Sequence, residues 1–359
     1  MKSPGVFEII GMAKNPINKV DDGSSLGPVH GHRSKPNKPT NGSSTMSDKP
    51  NILIVGAGAI GSFYGAILKQ AGCQVSVVLR SEYETVKTNG IRINSPQGDL
   101  SYTPDAIFRE GDTPPQAPDY LILCVKVLPG VNRAALVKPW MGPATRLVLI
   151  ENGIDIEREL ADAYPQNPLI SCLAFIAASR TGPGEIEHKA YGKLVMGRFP
   201  DGLDDHSRNL AALFREGGIN IDLTEQVVAE RWRKCLWNTP FNPLSVLANG
   251  TDTRTILDAE GGEALIRALM AEVIATAAAD GFEMKPELID KNIEGTRKMP
   301  PYKNSMALDY LNGQPIELDA VLGNVVAIAN RHRVPVPHLE TMLTALRMRQ
   351  PVAETSTSA

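Results

Sequence analysis

The chain has little of what marks a protein for a highly charged or membranous partner. Its formal net charge is −3 over 359 residues, which leaves no electrostatic footprint for nucleic acid or an anionic bilayer. Long hydrophobic runs are missing too. Runs such as "YLILCV" and "RLVLI" fall far short of the ~20 residues a spanning helix needs and suit buried strands instead. Cysteine is scarce: Cys73, Cys124, Cys172 and Cys235 lie far apart, with no Cys-x-x-Cys pair and no His/Cys cluster. That pattern argues against a disulfide framework or a zinc site and predicts buried thiols in a cytoplasmic protein without structural metal. What is present, 42% hydrophobic and 21% charged residues, suffices for two soluble domains with separate cores.

Texture changes three times along the chain. Residues 1–48 are rich in Gly, Pro, Ser, Asn and Lys and nearly free of apolar periodicity, which predicts a disordered N-terminal extension. Its start, "MKSPGVFEIIGM", lacks the apolar core of a secretory signal, and Met46 before "SDKPNILIVG" offers a second natural beginning. Over 49–223, apolar runs such as "NILIV", "QVSVVLR", "YLILCVKV" and "TRLVLI" alternate with helical stretches. This predicts an α/β, Rossmann-like doubly wound domain. Within it, "GIRINSPQGDLSYTP" reads as a hairpin insertion, and "PLISCLAFIAASRTGPGEIEHKAYGKLVMGRF" as further, antiparallel strands. Residues 224–350 show helical spacing throughout and predict an all-helical substrate domain, followed by a polar tail at 351–359.

The first chemistry-bearing stretch is "NILIVGAGAIGSFYGA" at 51–66. Gly56, Gly58 and Gly61, with Ala57, Ala59 and Ile60 between them, stand where a strand feeds a helix. In a dinucleotide site the first glycine turns the chain, the second admits the pyrophosphate and the third lets helix and strand touch. The end of the second strand then decides the nucleotide. An acidic residue there would bind a ribose 2′-OH, but this chain has Arg80, which suits a 2′-phosphate and so NADP(H).

A second stretch, "RWRKCLWNTPFNPLSVLANG", places Lys234, Asn238 and Asn242 at i, i+4 and i+8. On a helix they share one face over ~12 Å. Such a stripe could grip a small polar anion or simply face solvent. Pro240 and Pro243 each remove a helical N–H and predict a kink. Ser305 and Glu317 lie in the polar "NSMALDYLNGQPIELD", where spacing alone assigns neither a role.

Taken in order, "GAGAIGSFYG", "LCVKV", "ENGID", "WRKCLWNTPFNPLSVL" and "NSMALDYLNGQPIELD" resemble the ketopantoate reductases over residues 50–347. The resemblance implies NADPH-dependent reduction of the 2-keto acid ketopantoate to pantoate, with Lys234 as general acid and Glu317 as the carboxylate beside the forming hydroxyl. It implies Asn238, Asn242 and Ser305 on substrate oxygens, Asn152 between cofactor and substrate, and Lys126 and Arg80 along the cofactor. A homodimer is among the assemblies it allows, and it implies a small-molecule substrate with neither nucleic acid nor membrane as partner. Glu151 departs from the expected Gln or His and predicts an extra carboxylate close to the anionic substrate. Two other readings keep the same motifs: a reductase of the same plan for another 2-keto acid, and a non-catalytic NADP-sensing regulator.

Overall fold

The structure, a computed structural model, describes residues 49–349. The N-terminal extension at 1–48 and the tail at 351–359 lie outside the described residues. The strands are β1 (Asn51–Val55), β2 (Gln74–Leu79), β3 (Ile91–Asn94), β4 (Leu100–Tyr102), β5 (Ile107–Arg109), β6 (Tyr120–Leu123), β7 (Arg146–Ile150), β8 (Leu169–Gly182), β9 (Glu185–Arg198) and β10 (Ile221–Leu223). They form one sheet in the order β4-β3-β9-β8-β7-β6-β1-β2-β5, with β10 beside β9.

Six neighbouring strands, β5-β2-β1-β6-β7-β8, run parallel. Their continuous apolar character follows from cover on both faces. Ile52 and Ile54 of β1 face one core with Phe63, Tyr64, Ile67 and Phe214. Leu53 and Val55 face the other with Val137, Trp140 and Leu160. The helices of the first core are α1 (Ala59–Gln70) and α2 (Asp205–Glu216).

Beyond β8 the sheet becomes mixed. The expected hairpin forms from β3 and β4, antiparallel, and β8 and β9 are likewise antiparallel. The hairpin is not a separate flap, however. Arg92–Asn94 of β3 pair in parallel with Glu185–Glu187 of β9, so the insertion between β2 and β5 extends the opposite edge of the sheet.

Helices dominate after β10: α3 (Val227–Leu247), α4 (Gly262–Ala279), α5 (Ser305–Leu311), α6 (Asn324–His332) and α7 (Pro337–Arg349) among them, with Thr253–Asp258 and Glu287–Lys298 also helical. They enclose their own core, in which Trp232, Leu236 and Phe241 of α3 meet Leu269, Met270, Val325 and Leu339. α3 runs unbroken through Pro240 and Pro243 over 21 residues, so the predicted kink does not divide the stripe it carries. The ring nitrogens of the two prolines still leave the carbonyls of Leu236 and Thr239 without their helical donors. Among the described residues no helix is long and apolar enough to cross a membrane.

Candidate active site

The glycine loop satisfies each steric demand placed on it. Gly56 sits at φ +92°, and a Cβ there would lie 2.8 Å from Val125 Cγ1. At Gly61 a Cβ would lie 2.5 Å from the Gly56 carbonyl and 2.9 Å from Ile54 Cγ2. Gly58 differs: nothing stands within 4 Å of its imagined Cβ. That open space adjoins the amino end of α1, where Gly58 is the cap, no side chain caps the backbone and the first turn holds no acidic residue. The first N–H groups of a helix have no partner within it and carry its positive end. Ala57, Ala59 and Ile60 complete this backbone cradle, and its room and donors fit a dinucleotide's phosphates. Arg80 follows the last residue of β2, exposed, without a side-chain hydrogen bond or ion pair to the described residues.

Across from the cradle, three predicted residues converge. Asn152 follows β7 and lies in the turn Glu151–Gly153. Lys234 Nζ donates to Asn152 Oδ1 at 2.8 Å and to the Ala174 carbonyl at 2.8 Å, and lies 5.1 Å from the centre of the Phe175 ring. Asn152 also hydrogen-bonds Glu317, whose Oε1 accepts from the Val127 N–H at 3.0 Å. Gly153 makes this meeting sterically feasible. It holds φ +108°, and a Cβ would fall 2.5 Å from the Ala320 carbonyl, in the π-helical turn Asp319–Gly323 that follows Glu317.

Environment tunes both ends of the triad. Burial, helped by the like charge of Arg231, lowers Lys234 from 10.5 to about 7. Burial raises the Glu317 carboxyl, against the pull of the Val127 N–H and Lys126. A lysine that gains and loses its proton near neutrality beside a carboxylate of raised affinity can exchange protons with a bound oxygen.

Asn242 and Ser305 line the same cleft as Asn152 and Glu317, over an apolar floor of Met306 and Val321. Asn242 is buried, and its Oδ1 has no hydrogen-bond partner among the described residues, as befits an acceptor kept for a ligand. Asn238 is half-buried one turn earlier on α3 and is not part of that lining. Lys126 pairs with Asp309 at 2.8 Å and donates to the Pro315 carbonyl at 3.0 Å. Asp309 also lines the cleft and escaped the sequence reading. The signal was there, since it stands four residues after Ser305 on one helix face.

Glu151 corrects an expectation. Its carboxylate turns away from the cleft into a buried pair with Arg133, 2.7 Å apart. Alternation across the strand end sends it to the opposite side from Asn152. Burial pushes its carboxyl up to about 8 against Arg133. Replacing Arg133 with methionine leaves that carboxyl unpaired, at an expected cost of about 3–5 kcal/mol. The folded carboxyl then holds its proton well above the 4.5 of the free group. The deficit therefore widens as pH rises through 8, where ionisation in the fold is forced. Urea unfolding at pH 6 and pH 9 measures it.

A glycine-cradled strand end opposite a lysine–carboxamide–carboxylate cleft is the layout of an oxidoreductase. Comparison with known proteins narrows the class. The family model described as ketopantoate reductase PanE/ApbA matches residues 52–201, and its C-terminal counterpart matches residues 226–350. A 2-dehydropantoate 2-reductase of Nostoc sp. is 30% identical over 299 residues, covering 82% of this chain and 93% of the relative. The crystal structure of the 2-dehydropantoate 2-reductase from Methylococcus capsulatus is 48% identical, with a TM-score of 0.79, covering 83% of this chain and 96% of that one. A dimeric ketopantoate reductase from Staphylococcus aureus, 20% identical, shares the fold at TM-score 0.69 over 83% of this chain and 97% of its own. The chain belongs to the ketopantoate reductase family.

Proposed function

We propose that the protein reduces 2-dehydropantoate (ketopantoate) to (R)-pantoate with NADPH, as a cytoplasmic step of pantothenate and coenzyme A synthesis. The contact of half-buried Lys234 with Asn152, itself bonded to Glu317, carries this reading. NADPH, when bound in the glycine cradle, supplies the hydride. Negative charge then gathers on the keto oxygen, and the ammonium of Lys234 neutralises it and gives up a proton. Asn152 holds Nζ in line, and Glu317 accepts a hydrogen bond from the forming hydroxyl. The free Oδ1 of Asn242, together with Asn238 and Ser305, binds the polar groups of the substrate. Asn152 and Lys126 also border the cofactor. By analogy with the dimeric relative, the assembly proposed is a homodimer.

Arg80 is assigned to the 2′-phosphate, which NADH lacks. A charged hydrogen bond contributes about 1.5–3 kcal/mol, so Arg80→Ala is expected to weaken discrimination for NADPH over NADH by about 10- to 150-fold. The ratio of kcat/KM for the two nucleotides measures this. The function itself is tested by following NADPH oxidation with ketopantoate beside a panel of other 2-keto acids. Turnover of another acid with none of ketopantoate overturns the substrate, and a marked NADH preference overturns the role of Arg80.

A further inference from the structure

We infer that Arg231 is a positioning residue for catalysis, clamping the Glu151–Gly153 turn to the helix of the proton donor so that Asn152 is aimed at Lys234. The inference rests on the proposed function for what Asn152 and Lys234 do, but its geometry stands apart from that.

Arg231 lies on α3, three residues before Lys234, and is only 1% exposed. Its Nη1 donates to the Glu151 carbonyl at 3.0 Å and to the Gly153 carbonyl at 3.1 Å. These carbonyls flank Asn152 on either side. The rest of the guanidinium is anchored in turn: Nε pairs with Glu157, and Nη2 donates to Ser171 Oγ at 2.8 Å. Ser171 Oγ donates to Glu157 Oε1 at 2.7 Å, closing the ring of contacts. The planar fork of arginine meets four such acceptors from one position, which a lysine ammonium does not.

The turn is held at other points as well. Arg133 takes the Glu151 carboxylate, and the Ile154 N–H donates to the Ala320 carbonyl at 3.1 Å. Those contacts tie the turn to its own half of the chain and to the segment after Glu317. Arg231 alone among them sits on the helix that carries Lys234. Without it, Asn152 and Lys234 are set by separate elements, and their 2.8 Å contact depends on how those elements happen to rest. A structural ion pair would need Glu157 and Ser171 but not the two carbonyls around Asn152.

Removing the arginine alone would strand the buried Glu157, so the decisive variant is the double Arg231→Met with Glu157→Gln, which takes out both charges. Arg231→Lys serves as the conservative partner. Expected for the double variant is a fall in kcat of about 30-fold or more, since an error of about 1 Å in placement costs on the order of 100-fold. The KM for NADPH stays within about 3-fold, because the glycine cradle is untouched. Arg231→Lys recovers part of kcat. A crystal structure of the double variant shows Asn152 Oδ1 out of hydrogen-bond reach of Lys234 Nζ. An unmoved Asn152 with kcat within about 3-fold of the parent overturns the inference. So does a loss that falls equally on kcat and on NADPH binding. Should the parent reduce no 2-keto acid, the proposed function fails while the crystal structure still decides the clamp.

Discussion

Replacing Lys234 with methionine lowers kcat by about 10²- to 10⁴-fold, the range spanned by loss of a general acid in the transition state. Methionine keeps the length and packing of the side chain but has no proton to give. The pH dependence separates this from a packing effect. In the parent, kcat/KM follows the free enzyme and falls about tenfold per pH unit above about 7, where Lys234 loses its proton. In the variant that limb disappears. A residual rate with the same alkaline limb as the parent would sink the assignment of Lys234.

The same substitution has a stability signature of opposite sign. Lys234 holds its proton less tightly in the fold than its ordinary 10.5, so the unfolded chain binds more protons between about 7 and 10.5. Stability therefore rises with pH across that window and is lowest below 7, where the buried lysine must be charged. The penalty is at most ~5 kcal/mol, at about 1.4 kcal/mol per pH unit. Methionine removes it but leaves the Ala174 carbonyl and Asn152 without their donor. Relative to the parent, the variant thus gains a few kcal/mol at pH 6 compared with pH 10, measured by urea unfolding at both. An inactive protein whose stability gain over the parent is larger in acid than in base is what a site built on a desolvated lysine predicts.

What could be read from the linear chain divides along a physical line. Sequence-local features came through. β1, the glycine loop and α1 were legible because a strand covered on both faces is apolar without interruption and because Gly61 answers a steric need within the same 16 residues, although Gly56 is also pressed by Cys124 and Val125. Helical periodicity set Lys234 and Asn242 on one helix but left their stripe open between a site and a solvated face, and only the family resemblance suggested roles for them. Relations between distant segments did not come through. Nothing near Glu151 announces Arg133, 18 residues upstream, so its carboxylate was expected in the cleft. The edge taken by β3 depends on β9, ~90 residues later, and Arg231 gains meaning only when β7 and α3 are side by side. The prolines of α3 do not end the helix because one packed into a core tolerates lost N–H groups that would break one in isolation.

Gly58 and Gly61, three residues apart in one loop, are expected to fail in different ways when given a valine side chain. At Gly61 the new atoms meet the Gly56 carbonyl and Ile54 Cγ2, both inside the contact between α1 and β1. Overpacking of this kind costs about 1–3 kcal/mol, and it displaces the amino end of α1 from the strand. Gly61→Val therefore loses thermal stability and NADPH binding together. At Gly58 the φ is −76°, ordinary for any residue, and the Cβ enters open space. Gly58→Val folds with a melting temperature close to the parent's, yet its side chain fills the room through which a pyrophosphate would approach the helix N–H groups. Loss of those charge-assisted contacts, each about 1.5–3 kcal/mol, predicts NADPH affinity reduced by 100-fold or more. Calorimetric titration with NADPH, alongside thermal melts of both variants, reads the two effects separately. If Gly58→Val bound NADPH as tightly as the parent, the space beside α1 would not be the phosphate site, whatever its glycines suggest.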